Sequence, residues 1–491
     1  RNENMKKVLS VVLAIVMIFT ITVPAFAAQK TATAAENYDG NPVIIVRGID
    51  FAGLTYVSSG KKALDVSAGT ILSALMDGFM GMLSLKSVDS VLDGAFLAAK
   101  EIFEPIACDK EGNPYSDIVS MKQYPESMAN YPEFVATLPD GGEEGIVKTA
   151  IDRYGAENTY FFTYDWRKTP EQIADELHGF IETARRNSGK DKVNIICASM
   201  GGMVTTAYFY YYGTYNVESA VFLSGAQNGT YVCGDALNGR IVFDGDVLVK
   251  FINNATGNNI FLKIFIDIFD ILGVVDFIAD IANDMVSSSF DRANDLMLRE
   301  TLGAFCGFWA LCPDEDFESG VENIFGGHEE EYSVLLEKID GVKEFVFSTE
   351  ETLLKAKNNG VKISFVSNYN SGLTPVYEKA NLNGDNVLEA ELTSNFATIA
   401  PLGETLSKGY IENADKKYIS PDNVIDASTA VFKDNTWFVK DAPHVAADYK
   451  TGFSEFTFTL LESETQPTVD TFEKYPQFMI ADEFLFVSPL K

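Results

Sequence analysis

Short apolar runs bounded by turn residues alternate with longer stretches in which apolar positions recur every three or four residues. The first run, "NPVIIVRGI" (41–49), is continuously apolar after a proline and stops at a glycine. Such a run predicts a strand buried on both faces of a parallel sheet. "TILSALMDGFMGML" and "VLDGAFLAAKEIF", within 67–105, predict helices, whereas 108–145 is rich in Pro, Gly, Asn and Asp and predicts a loop. "EEGIVKTAIDRYG" (143–155) follows as a helix with a glycine stop, and "NTYFFTYDW" (158–166) as an aromatic, β-branched strand. "TPEQIADELHGFIETARR" (169–186) is an amphipathic helix with a Thr-Pro start.

Strand 193–197, helix 200–212 and strand "VESAVFLSG" (217–225) come next. "GVKISFVSN" (360–368) and "NTWFVKD" (435–441) complete the expected strands. Strands alternating with helices predict right-handed crossovers and an α/β fold with a mostly parallel sheet.

Residues 230–345 break that rhythm. The run 258–286 is strongly apolar on one helical face but carries Lys263, Asp267, Asp270, Asp276 and Asp280. That spacing of charges excludes a membrane span. The segment is expected to be an inserted helical cap, either a mobile lid or a static subdomain. The chain then divides into residues 1–27, a first core part 28–229, the cap 230–345 and a second core part 346–491.

Residues 1–27 read as a signal peptide: basic "MKK", apolar "VLSVVLAIVMIFTITV" and a small-x-small "AFA", with cleavage expected after Ala27. The protein is therefore expected to be secreted. No cysteine follows the apolar stretch and no apolar tail closes the sequence, so no stable membrane anchor is expected.

The 491-residue chain carries 38 Lys+Arg against 70 Asp+Glu, a formal net charge of −32. That charge argues against nucleic acid and anionic membrane surfaces as partners. The five cysteines (Cys108, Cys197, Cys233, Cys306, Cys312) form no CxxC and no regular framework. Cys306 and Cys312 are close enough in sequence to pair, but scattered reduced thiols are the plainer reading. With three histidines in all, no zinc site is expected and no cofactor is implied.

The candidate chemistry lies at the end of strand 193–197. "CASMG" (197–201) sets Ser199 between a strand and a helix and resembles the G-x-S-x-G nucleophile elbow, with Cys197 for the first glycine. The turn is sharp, so small residues are needed two before and two after the serine. Ser199 is the candidate nucleophile. The Met200 amide, at the start of the next helix, is one candidate oxyanion donor, and Ile49, after Gly48 in "VRGID", is the other.

A serine nucleophile needs a base. His444, in "DAPHVAADY" just past strand 435–441, fits the order serine, acid, histidine. His328, in the acidic "FGGHEEEY", is the alternative, and His178 lies in a helix ahead of the serine. The acid should fall between strand 360–368 and His444. The strand's end, "SNYNSG", offers only uncharged Asn368 and Asn370. Asp385, in "LNGDNVLEAELTSN", is the preferred acid, with Asp422 and Asp426 in "SPDNVIDAST" as competitors.

Three strings carry a family resemblance: "YDWR" (164–167), "ASMGGMV" (198–204) and "GFWALCPD" (307–314). The chain resembles the α/β-hydrolase superfamily, and within it the lecithin:cholesterol acyltransferase-like lipases. The sequence around Asp385 is similar to the G-D-G-x-V acid turn of these lipases, with Asn386 for the second glycine. The chain departs from them at Cys197, and at Arg47, where they often have His before the oxyanion glycine. Trp166 and Arg167 are read as structural, Arg167 through an ion pair near the strand end.

The resemblance implies an α/β-hydrolase fold and a Ser-His-Asp triad that cleaves carboxylic esters through an acyl-enzyme. An acyl-ester or lipid substrate is expected, with transient contact to lipid surfaces through the cap. Acyl transfer to an alcohol, amide or thioester hydrolysis, and a catalytically silent binding protein are the alternatives.

Overall fold

The computed structural model describes residues 38–51, 53–64, 103–115, 118–138, 144–240, 294–295, 298–373, 379, 381–444, 446–448 and 451–491. The expected signal peptide, most of the helical stretch 67–105 and the apolar run 258–286 lie outside them.

Twelve strands are described: β1 (Val43–Val46), β2 (Leu54–Tyr56), β3 (Val119–Met121), β4 (Thr159–Phe162), β5 (Val193–Ala198), β6 (Val217–Leu223), β7 (Lys362–Tyr369), β8 (Thr398–Ile399), β9 (Ile425–Asp426), β10 (Thr436–Lys440), β11 (Phe478–Ala481) and β12 (Val487–Pro489). Eight of them form one sheet in the order β4-β1-β5-β6-β7-β10-β11-β12. Every neighbouring pair is parallel except β11 with β12. β2 with β3, and β8 with β9, make two short antiparallel ribbons.

Alternation along the strands explains the layers. In β1, Ile44 and Val46 face one apolar layer while Val43 and Ile45 face another. In β5, Ile195 and Cys197 share the first layer and Ile196 the second. Both faces are buried, so β1 reads as a continuous apolar run and β5 as one interrupted only by Asn194. The first layer is closed by Ile173, Leu177 and Ile181 of helix Pro170–Ser188, and by Met203 and Ala207 of helix Met200–Tyr212. The second is closed by Val147 and Ala150 of helix Gly145–Tyr154, and by Phe453 and Phe456 of helix Gly452–Leu461. The result is an α/β fold: a mostly parallel central sheet flanked by helices.

The described part of 230–345 is helical: Tyr231–Leu237, Cys306–Trp309, Asp314–Phe325 and Ser333–Phe347, with single turns at Leu298–Glu300 and Leu302–Ala304. The last helix runs two residues past the expected boundary at 345. Trp309, Phe317 and Phe325 join the same apolar layer as Ile195 of β5. Gly307 comes so close to the chain before it that an added Cβ would lie 1.9 Å from the Trp166 carbonyl oxygen. These residues therefore extend the core.

Three sequence expectations need correction. Residues 108–145 are not all loop: they hold β3 and helix Pro132–Thr137. Strand 435–441 is not the last, because β11 and β12 follow. The aromatic stretch 158–166 leaves the sheet after Phe162. Arg167 explains that exit: its guanidinium is buried, pairs with both oxygens of Asp165 at 2.8 and 2.6 Å, and donates to the Ile106 carbonyl at 2.9 Å. A charge so deeply buried must be satisfied in place, which bends the chain around it.

Candidate active site

A single residue, Ser199, separates the end of β5 from the start of helix Met200–Tyr212. Its backbone sits at φ 54 and ψ −129, a conformation that costs a non-glycine residue free energy and persists where neighbours enforce it. The neighbours do so. The Ser199 amide donates to the Leu223 carbonyl at 3.1 Å, and the Ser199 carbonyl accepts from the Gly202 and Ala226 amides at 2.9 and 2.8 Å. At Gly201 an added Cβ would lie 2.4 Å from the Val46 carbonyl oxygen, and at Gly202 one would lie 2.9 Å from Gly225 Cα. Both glycines let the helix start against β1 and the turn after β6.

Cys197 fills the place of the first glycine of the motif. Its thiol is buried against the Val221 carbonyl, 3.5 Å away, and burial pushes its pKa up to about 12. It packs, and no thiolate forms there near neutral pH.

His444 Nδ1 lies 2.8 Å from Asp385 Oδ2. The His444 amide also donates to the Asp385 carbonyl at 3.0 Å. Asp385 is fully buried, and its other carboxylate oxygen accepts from the Val387 and Leu388 amides at 3.0 and 2.8 Å. The local chain is built for this. A Cβ at Gly384 would lie 2.3 Å from the Leu388 carbonyl oxygen, and Asn386 adopts φ 84, where a glycine or asparagine is favoured. An imidazole whose Nδ1–H donates a hydrogen bond to a carboxylate leaves Nε2 as an acceptor.

Strand register brings the three groups to one edge. Ala198 of β5 pairs with Leu223 of β6, Leu223 with Val366 of β7, and Val366 with Trp437 of β10. Ser199 follows β5, the turn of Asp385 follows β7, and His444 follows β10, all beyond carboxyl ends of parallel strands. Asn368, near the end of β7, donates to the Pro443 carbonyl at 2.9 Å and so ties the histidine loop to the sheet. Asn368 carries no charge, and in "SNYNSG" nothing distinguishes its amide from that of Asn370.

Of the candidate oxyanion residues, Met200 is the first residue of its helix, and amides there lack intrahelical acceptors. Gly48 lies against the serine: an added Cβ would be 2.8 Å from Ser199 Cβ and 3.2 Å from Ser199 Oγ. Ile49 is the next residue along that backbone.

The competing residues are engaged elsewhere. Asp422 bonds Tyr369 Oη and Lys440 Nζ at 2.9 Å each and Ser420 Oγ at 2.6 Å. Burial alone would raise its pKa, but these donors bring it below the ordinary carboxylate range. Asp426 caps the turn Ala427–Thr429 and accepts from Tyr410 Oη. His178 stacks on Tyr212 with centroids 4.1 Å apart, and His328 is 38% exposed beside Glu331. All five thiols are free, Cys306 and Cys312 included. Among the described residues no cluster of His, Cys, Asp or Glu could hold a metal ion, and no helix is long and apolar enough to cross a membrane.

No family model and no curated protein matches the chain. One similar solved structure is described as the crystal structure of the Tle4-Tli4 complex. It is 12% identical over 67% of this chain and 75% of that one, with a TM-score of 0.28. A TM-score that low establishes no kinship of fold or chemistry.

Proposed function

We propose that the chain is a secreted serine hydrolase of the α/β-hydrolase superfamily that cleaves carboxylic esters, with acyl lipids as the substrate class. The observation that carries this reading is the contact of His444 Nδ1 with buried Asp385 Oδ2 at 2.8 Å, at the sheet edge that also holds strained Ser199. The order serine, aspartate, histidine along the chain supports it further.

In this reading Ser199 Oγ attacks the ester carbonyl while His444 Nε2 takes its proton. Asp385 holds the imidazole in the required tautomer and stabilises its charged form. The Met200 and Ile49 amides receive the negative charge on the carbonyl oxygen. Collapse of the tetrahedral intermediate expels the alcohol, which takes the proton back from His444. Water then attacks the acyl-enzyme, again through His444, and releases the acid.

Acyl lipid as the substrate rests on the apolar helical pattern of 258–286, and secretion on the leader-like first 27 residues. Initial rates on p-nitrophenyl esters of increasing chain length, for wild type and Ser199→Ala, test the reading. Hydrolysis by wild type and background rates for Ser199→Ala are expected; equal rates for both would refute it.

A further inference from the structure

The backbone that carries Gly48 and Ile49 past Ser199 is held from several sides. The Arg47 carbonyl accepts from buried Tyr164 Oη at 3.0 Å. The same carbonyl borders the first turn of the helix after Ser199, 2.8 Å from where a Cβ on Gly201 would stand. The side chain of Arg47 adds a third anchor. Its Nη1 meets Asp50 Oδ2 at 2.9 Å and Glu144 Oε1 at 3.0 Å. Asp50 passes the restraint on, since its Oδ1 accepts from the Gly53 amide at 2.7 Å. The guanidinium also lies 5.7 Å from the centroid of the Phe161 ring on β4.

These charges are shielded: the side chains of Arg47, Asp50 and Glu144 are 17%, 17% and 25% exposed. Such a network loses less to solvent screening than a free surface pair. Glu144 immediately precedes helix Gly145–Tyr154, at the end where the helix dipole favours a carboxylate. One guanidinium thus links the loop after β1 to a helix start and to β4. Both carboxylates meet the guanidinium at Nη1.

We infer that Arg47 is a positioning residue for the oxyanion hole: its paired contacts to Asp50 and Glu144 hold the Gly48–Ile49 backbone against Ser199. The inference rests on the proposed function, in which Ser199 is the nucleophile and the Ile49 amide an oxyanion donor. Such donors are effective because they need no reorganisation when charge develops. A loop free to drift by an ångström loses that advantage in the transition state while still admitting substrate.

The test combines kinetics with amide exchange on the full chain. Arg47→Gln should lower kcat about ten- to a hundredfold with KM changed less than twofold, by comparison with the loss of a single oxyanion donor. Arg47→Lys, which keeps the charge, should recover part of the loss. Glu144→Gln should slow turnover in the same direction, and its combination with Arg47→Gln should cost little more than Arg47→Gln alone. Exchange at the Gly48 and Ile49 amides should be faster in Arg47→Gln than in wild type. Arg153→Gln breaks another multi-carboxylate pairing, with Glu455 and Glu462, far along the chain from Ser199, and should leave kcat unchanged.

Turnover of Arg47→Gln within twofold of wild type, or unchanged exchange at Gly48 and Ile49, would overturn the inference. If wild type hydrolyses no ester while exchange at Gly48 and Ile49 still rises in Arg47→Gln, the proposed function fails and the anchoring of this backbone stands.

Discussion

Ser199 and Asp385 are each held by backbone contacts outside the trio they would form with His444. Ser199 is fixed by backbone bonds to Leu223, Gly202 and Ala226, and Asp385 by the amides of Val387 and Leu388. Substitution at the reacting atoms should therefore spare the fold. Asp385→Asn should lower kcat by orders of magnitude, because the amide favours the wrong imidazole tautomer, while Tm shifts by only a few degrees. Asp422→Asn should show the opposite profile. It loses the charge opposite Lys440 and one of the two oxygens that accept from Lys440, Tyr369 and Ser420, so Tm should fall while turnover stays within about twofold. Steady-state kinetics and thermal melts on the two variants check this; a profile reversed between them would move the acid to Asp422. Asp385 was legible in the sequence through its glycine and the turn that resembles a lipase acid turn. Asn368 and Arg47 were not, since their roles come from partners that adjoin only once the strands are in register.

At the scale of elements, the strand–Ser199–helix unit was legible because β5 is apolar from Ile195 to Ala198 and Gly201 with Gly202 follow at the required spacing. Gly201→Ala should test that spacing. With the Val46 carbonyl oxygen 2.4 Å from the new methyl, helix Met200–Tyr212 has to shift, at a cost of about 1–3 kcal/mol by the usual range for overpacking. Chemical denaturation measures it, and an unchanged midpoint would contradict the close approach. Arg167→Met should cost about 3–5 kcal/mol, since it leaves the Asp165 carboxylate buried without its cation. β11 and β12 were not legible. β11 is a four-residue apolar stretch among prolines and acids, and β12 is an exposed edge strand ending in proline. β3 escaped notice because three residues with one polar middle position leave no period to read.

For the whole molecule, burial of titratable groups sets an alkaline limit. Burial pushes the phenols of Tyr38 and Tyr208 up to about 12, and those of Tyr154, Tyr164 and Tyr369 higher still. The thiols of Cys197 and Cys306 are likewise pushed up to about 12. In the unfolded chain these groups lose their protons near pH 8.5 for thiols and near 10 for phenols. The folded state holds the protons more tightly, so their stabilising effect is complete below those values and declines as pH rises through about 12. Tm should therefore fall steadily from about pH 9 upward; a flat profile to pH 11 would contradict the burial. At this scale the sheet was legible as an alternation of apolar runs and helices. The packing of Trp309, Phe317 and Phe325 into the core layer of β5 was not, because nothing in a helical pattern says which surface it will cover.

The central claim is that Ser199 is the nucleophile of an esterase, and covalent labelling reaches it most directly. Native full-length protein treated with an alkyl fluorophosphonate, then digested and mapped by mass spectrometry, should carry one adduct, on Ser199, and His444→Ala should carry none under the same exposure. An unlabelled wild-type protein, or an adduct on another residue with Ser199 unmodified, would contradict the account.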